Sequence, residues 1–140
     1  MYGDTSVIRV LARGLREQGV EIRAEADVLV GRAEAVPWQG MAADEMRRLA
    51  HEHAGCLRTC AGLHDEAADA LERHAREVDH VKDVIAAVER RVEHLLHRAR
   101  GVVHAVASHV VPDAVDEWLD HFEPPPHGSQ EWLHVRLPSA

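Results

Sequence analysis

Aromatic side chains are scarce in this sequence of 140 residues, which has three tryptophans, one tyrosine and one phenylalanine. A chain of this length can still form one domain with a buried core. Its numerous apolar residues are mostly small, chiefly alanine and valine. The composition therefore favours closely packed helices over a globular core built from large side chains.

Lysine occurs once, at Lys82, and the 16 basic residues are outnumbered by 24 acidic ones, for a formal net charge of −8. The arginines are mixed with aspartate and glutamate along the chain and form no basic stripe. Binding to nucleic acid needs clustered lysine and arginine to contact the phosphates. The charge pattern therefore argues against a nucleic-acid-binding protein.

Long apolar runs are also absent, so the sequence predicts no membrane-spanning helix. The first four residues, Met-Tyr-Gly-Asp, lack the charged start and the apolar block of a secretory signal peptide. We therefore expect a cytoplasmic location and no export by the general secretion route.

The sequence lacks the local patterns on which many catalytic sites are built. It has no glycine-rich phosphate-binding loop, and no serine lies in the glycine-flanked turn of a nucleophile elbow. Acidic residues alternate with arginine at helical spacings, as surface charges do. We therefore predict a protein that is not an enzyme and that uses no cofactor.

What the N-terminal third does contain is a seven-residue repeat. Large apolar residues recur at Ile8, Leu15, Ile22, Leu29 and Val36, and the first four of these are each followed, four residues later, by Ala12, Gly19, Ala26 and Ala33. This spacing of four and three is typical of a coiled-coil seam. The small residues would let a partner helix approach closely. A first helix is predicted to begin at Asp4, Thr5 or Ser6, each of which can cap a first turn.

The five residues Val36 to Gly40 predict a bend. A residue before proline is disfavoured in the helical conformation, so Pro37 should end the first helix. Gly40 suits a tight reversal, and a short connection of this kind joins antiparallel neighbours. Trp38 is predicted to be buried across the junction of the two helices.

A second apolar pattern begins at about Met41 to Asp44 and predicts a much longer helix, which either continues to Val110 or breaks at Gly101. Its first predicted seam positions are Ala50, His53, Leu57, Cys60, His64, Ala67, Leu71 and His74. If continuous, this helix would be on the order of 100 Å long, against about 45 to 50 Å for the first. The first helix could then cover it only as far as about His74.

The uncovered part of the second helix carries the richest apolar stripe in the chain, formed by Val78, Val81, Ile85, Val88, Val92 and Leu95. Exposed patches of that extent are uncommon on monomers. Fold-back of the segment after Gly101, with a short acidic helix from Asp113 to about Phe122, would leave much of the stripe uncovered. We therefore predict that a second chain covers the stripe. When the protein is expressed alone, this chain would be a second copy, and the two copies would pair in antiparallel orientation.

The predicted fold is thus all-α: an antiparallel helical hairpin with a long second helix, dimerising into a helical bundle. Residues 1–110 would form the hairpin domain, with its bend at 36–40. Residues 111–140 would form the short acidic helix and a proline-containing tail, whose last residues form either a short strand or a docked apolar segment.

Two cysteines are too few for a disulfide framework, and Cys56 and Cys60, four apart on one helix, fit disulfide geometry badly. With His53 and His64 they lie on one helix face. Since residues 11 apart on a helix are about 16 Å apart, the four cannot share one ion within a single chain. The first interpretation is that both cysteines pack in the seam. The alternative is a site pooled between two chains.

Trp38-Gln39-Gly40, lying between two heptad-patterned helices and followed by Met41-Ala42-Ala43, resembles the Trp-x-Gly (WXG) family of small type VII secretion proteins. It also resembles the helical N-terminal domains of related actinobacterial secretion substrates. The resemblance covers residues 5–80. It implies a hairpin that pairs with a second copy or a related small helical protein into a four-helix bundle, and export without a cleaved signal peptide, with Pro37, Trp38 and Gly40 shaping the bend.

The sequence departs from this family in two respects. The export signal of the family, Tyr-x-x-x-Asp/Glu after the second helix, is missing because Tyr2 is the only tyrosine. The chain is also longer, by most of Val81 to Ala140. The expected function is that of a non-enzymatic interaction protein similar to type VII secretion substrates or their partners. Its export would depend on a partner that carries the signal. The alternatives are a metal-binding or redox-responsive helical protein and a cytoplasmic coiled-coil adaptor.

Overall fold

The computed structural model describes residues 3–105 and 114–138 of the chain. Its elements are two long helices, α1 (Thr5–Ala35) and α2 (Met41–Ala105), a short helix α3 (Ala114–His121) and a 3₁₀ helix (Gln130–His134). No strand occurs within these ranges. The predicted all-α class and the helical hairpin are therefore confirmed.

The element bounds settle most of the alternatives left open by the sequence. Helix α2 passes through Gly101 without a break and is described as far as Ala105, while the predicted continuation to Val110 lies outside the described residues. The tail forms a 3₁₀ helix instead of a strand. Asp113, the predicted start of the acidic helix, is also outside the described residues.

The chain divides into two compact units at a place other than the predicted boundary of 110/111. Thr5–Arg76 form the first, called the hairpin unit, and Glu77–Ala140 with Met1–Asp4 form the second, called the C-terminal unit. The division falls inside α2 because the first part of that helix packs on α1 and the second part packs on the tail of the chain.

The hairpin unit is held together by a seam of very small residues. The buried positions of α1 are Thr5, Ala12, Gly19, Ala26 and Ala33, and those of α2 include Ala54, Ala61, Ala68 and Ala75, again seven residues apart. At Gly19 a Cβ atom would lie 3.3 Å from the backbone oxygen of Ala61 and 3.2 Å from Oδ1 of Asp65. The predicted close approach along the small residues of α1 is confirmed.

The seam of α2 was only half predicted. The row through Ala50, Leu57, His64 and Leu71 does lie beside α1, but the other predicted row, His53, Cys60, Ala67 and His74, is exposed. The buried row begins one residue later, at Ala54. Heptad spacing permits either row, and the helices choose the one in which every side chain is a methyl group, because only that row lets the backbones approach.

The C-terminal unit has a core of larger side chains. Ile85 and Val92 of α2 are buried with Trp132 of the 3₁₀ helix, and the side chains packed around them are Val81, Val88, Leu96, Trp118, Phe122, Val135 and Leu137. The rings of Trp118 and Phe122 stack with their centroids 4.3 Å apart. The tail of the chain therefore covers the apolar stripe of α2.

The predicted dimer interface consists of Val78, Val81, Ile85, Val88, Val92 and Leu95. Four of these, Val81, Ile85, Val88 and Val92, pack in the core of the C-terminal unit, while Val78 is buried and Leu95 is half-buried. The premise that the stripe is uncovered within the chain is therefore wrong. The prediction counted only the segment up to about Phe122 as available for fold-back. It omitted residues 123–138, which supply Trp132, Val135 and Leu137. The apolar stripe thus gives no reason for a second chain to bind there.

A buried carboxylate holds the tail in register. Glu89 is buried, and its Oε1 accepts a hydrogen bond of 2.6 Å from the backbone N–H of Gly128, while its Oε2 lies 3.0 Å from Nδ1 of His127. The indole N–H of Trp132 donates to the carbonyl oxygen of Pro126 at 2.9 Å. Gly128 has a φ of +69°, a backbone conformation that favours glycine. The turn at 126–129 is therefore tied to both α2 and Trp132.

Candidate interaction surface

The two sides of the hairpin unit differ in chemistry. Residues one or four positions after the buried seam residues carry charges that pair between the helices: Arg16 with Asp69 and Glu72, Arg23 with Asp65, and Arg58 with Asp27. Hydrogen bonding to Glu72 and Asp69 raises the pKa of Arg16 further above its ordinary value. We call this the ion-paired side. Its exposed pairs add little stability each.

Residues three positions after the seam residues form the opposite side, called the apolar side. It consists of Ile8, Leu15, Ile22 and Leu29 from α1 and Leu57, His64 and Leu71 from α2, and all seven are half-buried. A groove of about 370 Å³ on this side is lined by Leu29, Glu52, His53, Cys56 and Leu57. The apolar side thus combines a row of branched side chains with an open groove.

The close seam explains why these large side chains stay half-exposed. When two helices meet through alanine and glycine, side chains that flank the seam have no third helix to pack against. Complete burial of a leucine or isoleucine side chain is worth about 1.5 to 3 kcal/mol. A two-helix unit leaves much of that stabilisation unrealised on its apolar side, so a second helical element can gain it there.

The bend is closed by Arg47. Its Nη2 donates to the carbonyl oxygens of Val36 at 2.9 Å and of Trp38 at 2.7 Å. Gly40 has a φ of +105°, and its carbonyl oxygen accepts the first helical hydrogen bond of α2, from Asp44, at 3.0 Å. The roles predicted for Pro37 and Gly40 agree with α1 ending at Ala35 and α2 beginning at Met41.

The predicted burial of Trp38 is wrong, because 55% of this residue is exposed. The alanines Ala33 and Ala43 are buried near this end of the hairpin, so the helices meet too closely to admit an indole ring between them. Met41 beside it is 90% exposed. The bend therefore presents an aromatic ring and a thioether to solvent.

Replacing Trp38 by alanine should change the free energy of unfolding by less than about 1 kcal/mol, as is usual for exposed positions. Urea denaturation followed by circular dichroism measures this change. A loss of 3 kcal/mol or more would show that the indole is buried in solution. Arg47→Ala provides the comparison, since it removes the two hydrogen bonds to the bend and should be the more destabilising of the two.

The cysteines do not pack in the seam as first interpreted. Cys56 and Cys60 are both free and exposed. Cys60 Sγ lies 3.9 Å from Nδ1 of His64, which is also 2.9 Å from the carbonyl oxygen of Cys60. Within the described residues no group of three or more histidine, cysteine or acidic side chains is arranged to hold a metal ion.

Sequence reasoning missed the ion-paired side and the role of Arg47. A signal for the former was available, because Arg9, Arg16 and Arg23 recur every seven residues, as do Arg58, Asp65 and Glu72 on the other helix. Both series lie four residues after the true seam rows, so they became informative only once the buried row of α2 was known.

Comparison with protein-family models, with curated proteins and with solved structures gave no match. No helix in the described ranges is long and apolar enough to cross a membrane.

Proposed function

We propose that this chain is a non-enzymatic interaction protein of the type VII secretion kind, whose hairpin unit packs through its apolar side on a second helical hairpin. When the protein is expressed alone, the second hairpin belongs to another copy of the chain. The pairing gives a four-helix bundle, the assembly implied by the resemblance to the Trp-x-Gly proteins.

The observation that carries this proposal is the difference between the two sides of the hairpin. The ion-paired side has its charges matched within the chain, as in Arg16 with Glu72 and Arg23 with Asp65. The apolar side leaves Leu15, Ile22 and Leu57 half-exposed. Association through the apolar side buries branched side chains and leaves the ion pairs of Arg16 and Arg23 intact.

The bend adds a second feature that suits recognition. Trp38 and Met41 are exposed, and large apolar side chains of this kind are favoured at the centres of protein interfaces. We assign Trp38 to contact with a partner and not to the stability of the hairpin. Since the Tyr-x-x-x-Asp/Glu signal is missing, export by a type VII system would depend on a partner chain that carries it.

The change that tests the assembly is Leu15→Asp combined with Leu57→Asp, which places one carboxylate on the apolar side from each helix. Sedimentation equilibrium at tens of micromolar should show the wild-type chain as a dimer and this variant as a monomer with unchanged helix content. The matched control is Val10→Asp with Val20→Asp, because both valines are exposed and lie away from the apolar side. The control should remain a dimer.

A wild-type chain that is monomeric, with no partner bound through these leucines, would contradict the proposal. A control variant that dissociates as completely as Leu15→Asp with Leu57→Asp would place the interface elsewhere. Detection of the protein in culture medium of its native host, lost when the type VII ATPase is deleted, would separate a secretion protein from a cytoplasmic coiled-coil adaptor.

A further inference from the structure

Cys60 and His64 form a pair of soft metal ligands one helical turn apart on α2. Their Sγ and Nδ1 atoms are 3.9 Å apart. In a tetrahedral site with Zn–S of about 2.3 Å and Zn–N of about 2.0 Å, the two ligand atoms are about 3.5 Å apart. A small side-chain adjustment therefore gives the spacing of two ligands on one ion. Binding through Nδ1 would replace its contact with the carbonyl oxygen of Cys60.

Cys60 is exposed beside the apolar side. Each residue turns an α-helix by about 100°, so Cys60, six residues after the buried Ala54, lies well round the helix from the face that contacts α1. It is exposed, and the half-buried His64 beside it belongs to the apolar side itself. The pair thus lies where the proposed second hairpin would pack.

One chain supplies only half of a tetrahedral site, because the described residues contain no third ligand in reach of this pair. A two-fold axis would supply the other half. On α2 the apolar side consists of Leu57, His64 and Leu71, so its centre falls at His64. The midpoint of Cys60 and His64 is residue 62, about 3 Å from that centre at 1.5 Å per residue.

An isologous interface centred on this side therefore brings the pairs of two antiparallel α2 helices together at the axis. We propose that Cys60 and His64 of two copies form a Cys₂His₂ site for a divalent ion of the zinc type, which links the two hairpins. The site rests on the proposed function, because only the second copy completes it. Thiolate and imidazole ligands select zinc-like ions over magnesium and calcium.

Metal binding requires the thiolate form of each cysteine, so each bound ion displaces the two thiol protons to solvent and affinity falls as the pH is lowered. The remaining members of the histidine and cysteine face have no place in this site. His53 and Cys56 line the groove beside Leu29. Along α2, Cys56 lies about one turn and His53 about two turns before Cys60. They therefore provide matched controls.

The test is a titration of the full chain with Co²⁺, whose bond to a thiolate produces a charge-transfer absorption, combined with sedimentation equilibrium in the presence of Co²⁺ and of a chelator. The wild-type chain should bind one Co²⁺ per two chains with thiolate absorption. Cys60→Ser and His64→Ala should each weaken this binding by at least 100-fold, since loss of a second-shell partner alone weakens metal binding by about 10- to 100-fold. Cys56→Ser and His53→Ala should bind Co²⁺ as the wild type does.

The possible outcomes separate the metal site from the interaction itself. A chain that is a dimer in chelator but shows no cobalt–thiolate absorption would overturn the site and leave the proposed function standing. Undiminished binding in Cys60→Ser, or one ion per chain, would also overturn it, since either means that surface histidines hold the metal. A chain that is monomeric both with and without Co²⁺ would overturn both proposals. A dimer that forms only with Co²⁺ and is lost in Cys60→Ser supports the site.

Discussion

Replacing Trp132 by alanine should lower the free energy of unfolding of the C-terminal unit by about 3 to 5 kcal/mol, as removal of a fully packed aromatic ring does. Trp132 is 5% exposed and lies in the core with Ile85 and Val92. The substitution also removes the donor that bonds the carbonyl oxygen of Pro126. Without the indole, the tail loses the side chain through which it enters the core.

Leu133→Ala is the matched control, because Leu133 is the adjacent residue, is similarly apolar and is 42% exposed. It should cost less than about 1 kcal/mol. Urea denaturation monitored by the fluorescence of the remaining tryptophans measures both variants. Equal and small effects of the two substitutions would mean that the tail does not cover α2. The apolar stripe from Val78 to Leu95 would then be free to form the predicted interface between two chains.

Enlarging Ala26 to leucine should destabilise the hairpin unit by about 1 to 3 kcal/mol, through overpacking of the seam. Ala26 is 0% exposed and lies in the row of small residues through which α1 contacts α2. Three added carbon atoms fit there only if the helices separate. Separation would also lengthen the contacts between Arg23 and Asp65, which depend on the same spacing.

Ala24→Leu serves as the control, since Ala24 lies on the same helix two residues earlier and is exposed. It should leave the midpoint of urea denaturation nearly unchanged. If Ala26→Leu instead proved neutral or stabilising while Ala24→Leu was destabilising, the phase assigned to α1 would be wrong.

The sequence was sufficient to predict α1, the bend and the all-α hairpin. In α1 only one row, Ala12 to Ala33, combines seven-residue spacing with uniformly small side chains, so its phase was unambiguous. The bend followed from Pro37 and Gly40, whose backbone preferences are local and need no knowledge of packing.

The phase of α2 and the place of Trp38 were not predicted correctly. The predicted row contains His53, Cys60 and His74, whereas the row one residue later is uniformly alanine, at positions 54, 61, 68 and 75. The criterion of uniformly small side chains that identifies the seam of α1 would therefore have selected the buried row of α2 as well. Trp38 was assigned to the interior because tryptophan is usually buried. The indole ring does not fit between α1 and α2 because their small seam residues bring the two helices close together. That short separation depends on both helices and cannot be read from the bend alone.

The packing of the tail was not predicted because its few apolar residues are too short a series to show a helical or strand periodicity. Trp132, Val135 and Leu137 are spaced as neither a helix nor a strand would require for a continuous apolar face. Their packing depends on the turn at 126–129 that Glu89 holds through Gly128. A buried carboxylate that accepts a backbone N–H from 39 residues away leaves no periodic signal in a sequence.

The distance between spin labels on Cys60 of two copies, measured by pulsed electron paramagnetic resonance in a Cys56→Ser chain, tests most directly whether the apolar side is the interaction surface. Helices in contact are 8 to 10 Å apart, so packing through this side should give a distance below about 25 Å. Labels on the ion-paired side, at Arg13→Cys in a chain without the native thiols, should be clearly further apart. A short distance at position 13 with none at position 60 would contradict the account.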